Sequence, residues 1–176
     1  MLPRKIVDML VKQTLETGSV GAFAQVYPNT SVLFIQVDLS QTSLDGENLM
    51  AELNRIFSII DNLLNQHSNV FKVETVGAEY MAAAGVPDPC RSPACALTSF
   101  AVHARSHLSK VEWSTGVKVG VKMGIHSGSI VAGVAGNKSP RFRLFGDCVN
   151  TAARMKAIAK NGEIIASQDH VVSLKG

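Results

Sequence analysis

The order of elements along this chain predicts an α/β (α+β) fold, a ferredoxin-like β-α-β-β-α-β palm with an antiparallel-rich sheet and flanking helices. Three observations carry that reading. A β-branched and aromatic run precedes a stretch of apolar residues at helical spacing. Two short strand-like runs meet at a single glycine, which reads as a hairpin. A second helix then leads into another strand-rich region.

In chain order, Ile6 to Leu15 reads as a short amphipathic helix, broken by Gly18-Ser19-Val20-Gly21. Ser31 to Leu39, rich in Val, Ile and Phe, reads as a buried strand. Leu49, Leu53, Ile56, Phe57, Ile60, Leu63 and Leu64 recur at three- and four-residue spacing, the stripe of a long helix. Val70 to Val76 and Glu79 to Ala84 form the hairpin, turning at Gly77. Pro87, Pro89 and Pro93 mark a loop before a helix over Ala94 to Lys110. Val117 to Ile125 and Ile130 to Ala135 read as a further strand pair. A short strand near Phe142, a helix carrying Asn150, and a last strand over Glu163 to Ala166 complete the order.

Composition bounds the function. At 176 residues and 46% hydrophobic content, residues 1–176 are expected to form one domain with a single core. A net charge of +3 without a Lys/Arg run argues against a nucleic-acid partner. No apolar stretch approaches the roughly 20 residues of a membrane span, and the N-terminus lacks a signal-peptide layout, so a soluble domain without membrane contact is expected. Cys90, Cys95 and Cys148 are odd in number, and the first two flank Arg91-Ser92-Pro93-Ala94. That pair is too few ligands for a metal, and reduced thiols are expected.

Asn150 and Arg154 are the chemically telling residues. Four apart on one helix, they project from the same face behind a glycine-rich turn. An amide beside a guanidinium suits a polar anionic ligand, with a triphosphate the obvious candidate. On spacing alone, the favoured reading has Asn150 as a helix cap and Arg154 as a solvated surface residue.

The run from Val121 to Lys156, VKMGIHSGSIVAGVAGNKSPRFRLFGDCVNTAARMK, resembles the class III nucleotidyl cyclases, the adenylyl and guanylyl cyclases. The likeness is carried by Gly124-Ile125-His126-Ser127-Gly128, Gly133-Val134-Ala135-Gly136, Pro140-Arg141-Phe142 and Phe145 through Met155. Lys72-Val73-Glu74-Thr75-Val76-Gly77 with Tyr80-Met81 is similar to the KVETIGDAYM motif, and Leu2-Pro3-Arg4 resembles the opening of these domains. The resemblance implies attack of a ribose 3′-oxygen on the α-phosphorus with release of pyrophosphate, at a site on a dimer interface. It implies that Asn150 positions the ribose and that Arg154 stabilises phosphate charge.

Other residues acquire expectations from the same likeness. Glu74 matches the guanylyl cyclase glutamate, whose carboxylate accepts from guanine N1–H and the N2 amino group. Arg143 stands where guanylyl cyclases mostly carry cysteine. It is suited either to donate to guanine O6 and N7 or to form an ion pair with Glu74. The two metal-binding aspartates of the family fall on Gln36 and Ala78, which cannot supply anionic oxygen. Asp38 would stand about 7 Å from Gln36 along the strand, and Glu79 is expected on the opposite face, so no metal site is expected from this chain.

The chain is thus similar to a β-type half of soluble guanylyl cyclase. The resemblance implies GTP as substrate, Mg or Mn ions bound chiefly by a partner cyclase domain carrying the aspartates, and a cytoplasmic setting. A regulatory pseudocyclase and an adenylyl cyclase half are the alternatives. Family domains continue to a lysine that reaches the phosphates, whereas the sequence stops at Leu174-Lys175-Gly176. That implies either a piece of a longer protein or a domain without this contact. No chemistry is assigned to His126. Trp113 and the glycines of the motif are expected to serve packing and turns.

Overall fold

The computed structural model describes residues 4–17, 24–40, 42–135 and 140–175. The Gly18 to Gly21 break, Leu2-Pro3 and Gly136 lie outside them. The elements run α1 (Arg4–Thr17), β1 (Ala24–Asp38), α2 (Gly46–Leu64), β2 (Val70–Val76), β3 (Glu79–Ala84), α3 (Pro93–Leu108), β4 (Gly120–Ala135), β5 (Arg141–Phe145), α4 (Asp147–Ile158), β6 (Ile164–Ala166) and α5 (Gln168–Ser173).

These strands form one sheet in the order β2-β3-β1-β4-β5, with β6 alongside β4. The β1-β3, β1-β4, β2-β3 and β4-β5 pairs are antiparallel, and β6 joins β4 in parallel. The first four strands and the helices α2 and α3 reproduce the predicted palm order. The hairpin turn at Gly77 uses a positive φ of 57°, a conformation that favours glycine there.

Both faces of the sheet are covered. Leu33, Ile35 and Val37 of β1 pack with Leu53, Ile56, Phe57, Ile60 and Leu63 of α2 and with Leu97, Phe100 and Leu108 of α3. The predicted stripe on α2 is therefore the buried one, and each such side chain contributes about 1.5–3 kcal/mol. Trp113 is buried in the same cluster. On the other face, Val32 and Phe34 of β1, with Met81 and Ala83 of β3, pack under Ile6 of α1 and Cys148 and Ala152 of α4. A central strand buried on both faces carries an unbroken apolar run, which explains Val32 to Ile35.

Three elements differ from the sequence reading. β1 starts at Ala24, seven residues before the predicted Ser31, and its early part is largely exposed. The predicted pair Val117 to Ile125 and Ile130 to Ala135 merges into one continuous strand, β4, which begins only at Gly120. Gly128 is a strand residue paired with Thr30, and Gly124 faces α4. A Cβ on Gly124 would lie 2.0 Å from the Lys156 backbone nitrogen and 2.5 Å from the Ala152 carbonyl, so the glycine is needed for helix-on-strand contact. Finally, α5 was not read from the sequence at all. At six residues it carries too little periodicity.

Candidate functional site

Helix α4 sorts its residues by face. Cys148, Ala152 and Lys156 point into the sheet, spaced four apart. Asn150 and Arg154, also four apart, are exposed. The helix is capped by Gly146 at φ 129°, so Asn150 lies inside the helix and is not its cap, which corrects that reading. Among the described residues neither Asn150 nor Arg154 has a side-chain partner. An amide and a guanidinium held four residues apart, with their hydrogen-bonding capacity unspent, are available to an external ligand.

Glu74 reaches the α4 face of the sheet by way of a β-bulge. Lys72 pairs with Ala82 but Glu74 pairs with Met81, leaving Val73 as the extra residue. In a regular strand Glu74 would share the face of Lys72, whose ammonium meets Asp61 on the α2 side. The bulge turns Glu74 to the opposite face, a one-residue slip with a full change of side. There Arg143 Nη1 donates to Glu74 Oε1 at 3.3 Å. β2 and β5 lie at opposite ends of the strand order, yet Phe71 and Phe142 also meet edge-to-face at 6.0 Å. The sheet therefore curls to bring its ends together. Of the two roles open to Arg143, the ion pair is the one formed.

The corner of β1 and β3 has a different character. Gln36 follows Phe34 on the α4 face and is the register partner of Glu79. Glu79 thus shares the face of Gln36, contrary to expectation. The expectation took its side from Ala78, but Ala78 belongs to the turn and packs against the α2 side. Glu79 accepts a hydrogen bond from Lys156 Nζ, whose ammonium also lies 6.0 Å from the centre of the Phe34 ring. Asp38 accepts from Asn161 Nδ2 and from the Ser40 backbone N–H at 2.9 Å. The Asn161 bond, then that of Ser40, hold its carboxyl below the usual range.

This donor set does not suit a divalent cation. Position 36 offers a neutral amide beside an ammonium, position 78 a methyl group, and both nearby carboxylates are already engaged. Lys156 was missed by the sequence reading. A lysine spaced four and eight residues from Ala152 and Cys148, on the inward face of a helix, is itself the sign of a buried counter-ion.

The remaining candidates are structural. His126 Nδ1 bonds Ser167 Oγ at 2.6 Å, tying β4 to the cap of α5. Ser127 Oγ links Ser31 Oγ at 2.6 Å to His170 Nδ1 at 2.7 Å, and His170 Nε2 meets Thr98 Oγ1 at 2.8 Å. Burial and then His126 push the His170 pKa down to about 4. The Cys148 thiol is pushed up to about 12 by burial and then by Asp147, which makes it inert packing. All three cysteines are free thiols. Lys175 is exposed beyond α5.

The family description "Adenylate and Guanylate cyclase catalytic domain" matches residues 23–176, most of the chain. The chain belongs to this family. It is 37% identical to the receptor-type guanylate cyclase gcy-6 of Caenorhabditis elegans, over 96% of the chain and 16% of that protein. It is 44% identical over 106 residues to the guanylate cyclase soluble subunit beta-2 of Rattus norvegicus, covering 60% of the chain and 15% of the subunit. It therefore spans only about a sixth of these curated relatives.

Among solved structures, the guanylate cyclase domain of RhGC from Catenaria anguillulae in complex with GTP superposes with a TM-score of 0.81 at 29% identity, covering 86% of this chain and 85% of that one. The guanylyl cyclase-like reading and the cyclase fold both hold. Among the described residues no helix is long and apolar enough to cross a membrane.

Proposed function

We propose that this domain is one half of a guanylyl cyclase site, supplying base-reading and phosphate-gripping groups to a partner cyclase domain that carries the metal-binding aspartates. The observation that carries the reading is the contrast between Asn150 and Arg154, exposed and unpartnered on α4, and a β1-β3 corner unsuited to a divalent cation. In GTP the ribose 3′-oxygen attacks the α-phosphorus; the new O–P bond closes the ring, the α–β bridge bond breaks, and pyrophosphate leaves with the electron pair. The 3′-hydroxyl proton passes to solvent. Asn150 orients the ribose, and Arg154 neutralises charge on the phosphates in the transition state.

Glu74 accepts from guanine N1–H and N2, whereas adenine presents an unprotonated N1 that repels a carboxylate. Arg143 donates to O6 and N7. To admit the base, its ion pair with Glu74 must open. Both side chains are more than a quarter exposed, at 42% and 27%, so the pair is worth at most about 1 kcal/mol and a guanine can displace it. Mg or Mn ions are held chiefly by the partner, and the assembly works in the cytosol. A second reading, a pseudocyclase that dimerises and regulates, is favoured by the Glu74–Arg143 pair filling the base pocket of the free chain. An adenylyl cyclase half is disfavoured by Glu74.

Restoring the carboxylates separates the first two readings. Gln36→Asp with Ala78→Asp is made with Lys156 retained and with Lys156→Gln, because a fixed ammonium beside position 36 opposes a metal. Cyclic GMP production by the homodimer with Mn²⁺ in either background supports the half-site. Silence in both, with GTP still bound, supports the pseudocyclase.

A further inference from the structure

Away from these residues, three imidazoles gather where α2 meets α3. His67 lies just past the end of α2, and His103 and His107 stand four apart on α3. His67 Nε2 and His103 Nδ1 approach to 3.1 Å. The His103 and His107 rings lie 4.8 Å apart, edge to face. Phe100 packs against the His67 ring at 5.4 Å and fixes its plane.

Two imidazole nitrogens this close share either a proton or a metal ion. A tetrahedral ion with bonds of about 2.0–2.1 Å spaces its nitrogens about 3.3 Å apart, within a few tenths of an ångström of what is found. A cleft of about 210 Å³, bordered by Gln66, His67, Ser68, Asn69 and Ser99, opens beside His67 and gives an ion and its waters a path. Among the described residues no three ligating side chains yet converge. His107 is exposed and one helical turn from His103, so a side-chain rotation brings in the third imidazole.

We propose that His67, His103 and His107 bind a divalent transition-metal ion of the Zn²⁺, Ni²⁺ or Cu²⁺ class. Imidazole suits these borderline ions and not Mg²⁺. The site is independent of the nucleotide chemistry. It clamps the end of α2 to α3 beside the start of β2, the strand that carries Glu74.

The test is calorimetric titration of the chelator-treated chain with Zn²⁺, Ni²⁺ and Mg²⁺. One equivalent of Zn²⁺ and of Ni²⁺ should bind, and Mg²⁺ should not. His67→Gln or His103→Gln should weaken binding by at least about tenfold, and His107→Gln by a smaller factor, while Cys90→Ser with Cys95→Ser leaves it unchanged. No saturable binding, full affinity in the His67 and His103 variants, or loss on removing the thiols would each overturn the proposal. If either core variant fails to fold, the exposed His107→Gln decides, full affinity there counting against the site.

Discussion

The outer face of α4 and the β1-β3 corner treat polar groups in opposite ways. On α4, Asn150 and Arg154 are left with no partner among the described residues. At the corner, Glu79 is engaged by Lys156 and Asp38 by Asn161 and Ser40. A charge already satisfied inside the fold contributes to architecture, and one left free is available for chemistry. The same helix serves both, since Lys156 reaches into the corner from the inward side while Arg154 faces out.

The largest effect should come from the outward face. Arg154→Ala or Asn150→Ala is expected to lower cyclic GMP production by a partnered domain by roughly 10²–10³-fold, with the thermal midpoint unchanged. Loss of folding in either variant would erase the contrast with the corner. Next comes the contact that holds α4 in place. Gly124→Ala puts a methyl into the Lys156 backbone and should cost about 3 kcal/mol, the upper end for overpacking. Denaturant unfolding reads this directly.

The third effect depends on pH. His170 has a folded pKa of about 4 against 6.5 unfolded, so the unfolded chain takes up the proton first as pH falls. Stability is complete above about pH 6.5 and declines through pH 4, by on the order of 2–3 kcal/mol. His170→Gln should flatten that slope in urea midpoints collected across the range. The smallest effect is at the Glu74–Arg143 pair. Arg143→Ala should alter stability by less than about 1 kcal/mol while lowering the preference for GTP over ATP. A shift in stability without a change in preference would make the pair purely architectural.

The sequence yielded the palm order, the α2 stripe and the Gly77 hairpin, because each rests on local periodicity or turn chemistry. The sequence reading divides β4 at Ser127-Gly128-Ser129 because a glycine between strand runs looks like a turn, whereas Gly128 is a strand residue paired with Thr30. The two faces of α4 were legible for Asn150 and Arg154 from spacing alone. The side of Glu74 was not, since a bulge at Val73 leaves no periodic mark. Glu79 was placed on the wrong side for a related reason, its register being set by Gln36 across the ladder and not by its neighbour in the turn.

The most direct test of complementary halves is cyclic nucleotide production from GTP and from ATP with Mn²⁺, by this domain alone and mixed with an aspartate-bearing cyclase domain of the same parent protein. The expected result is silence alone and cyclic GMP, without cyclic AMP, from the mixture, abolished by Arg154→Ala in this chain. A stable mixed dimer that makes neither product would contradict the account.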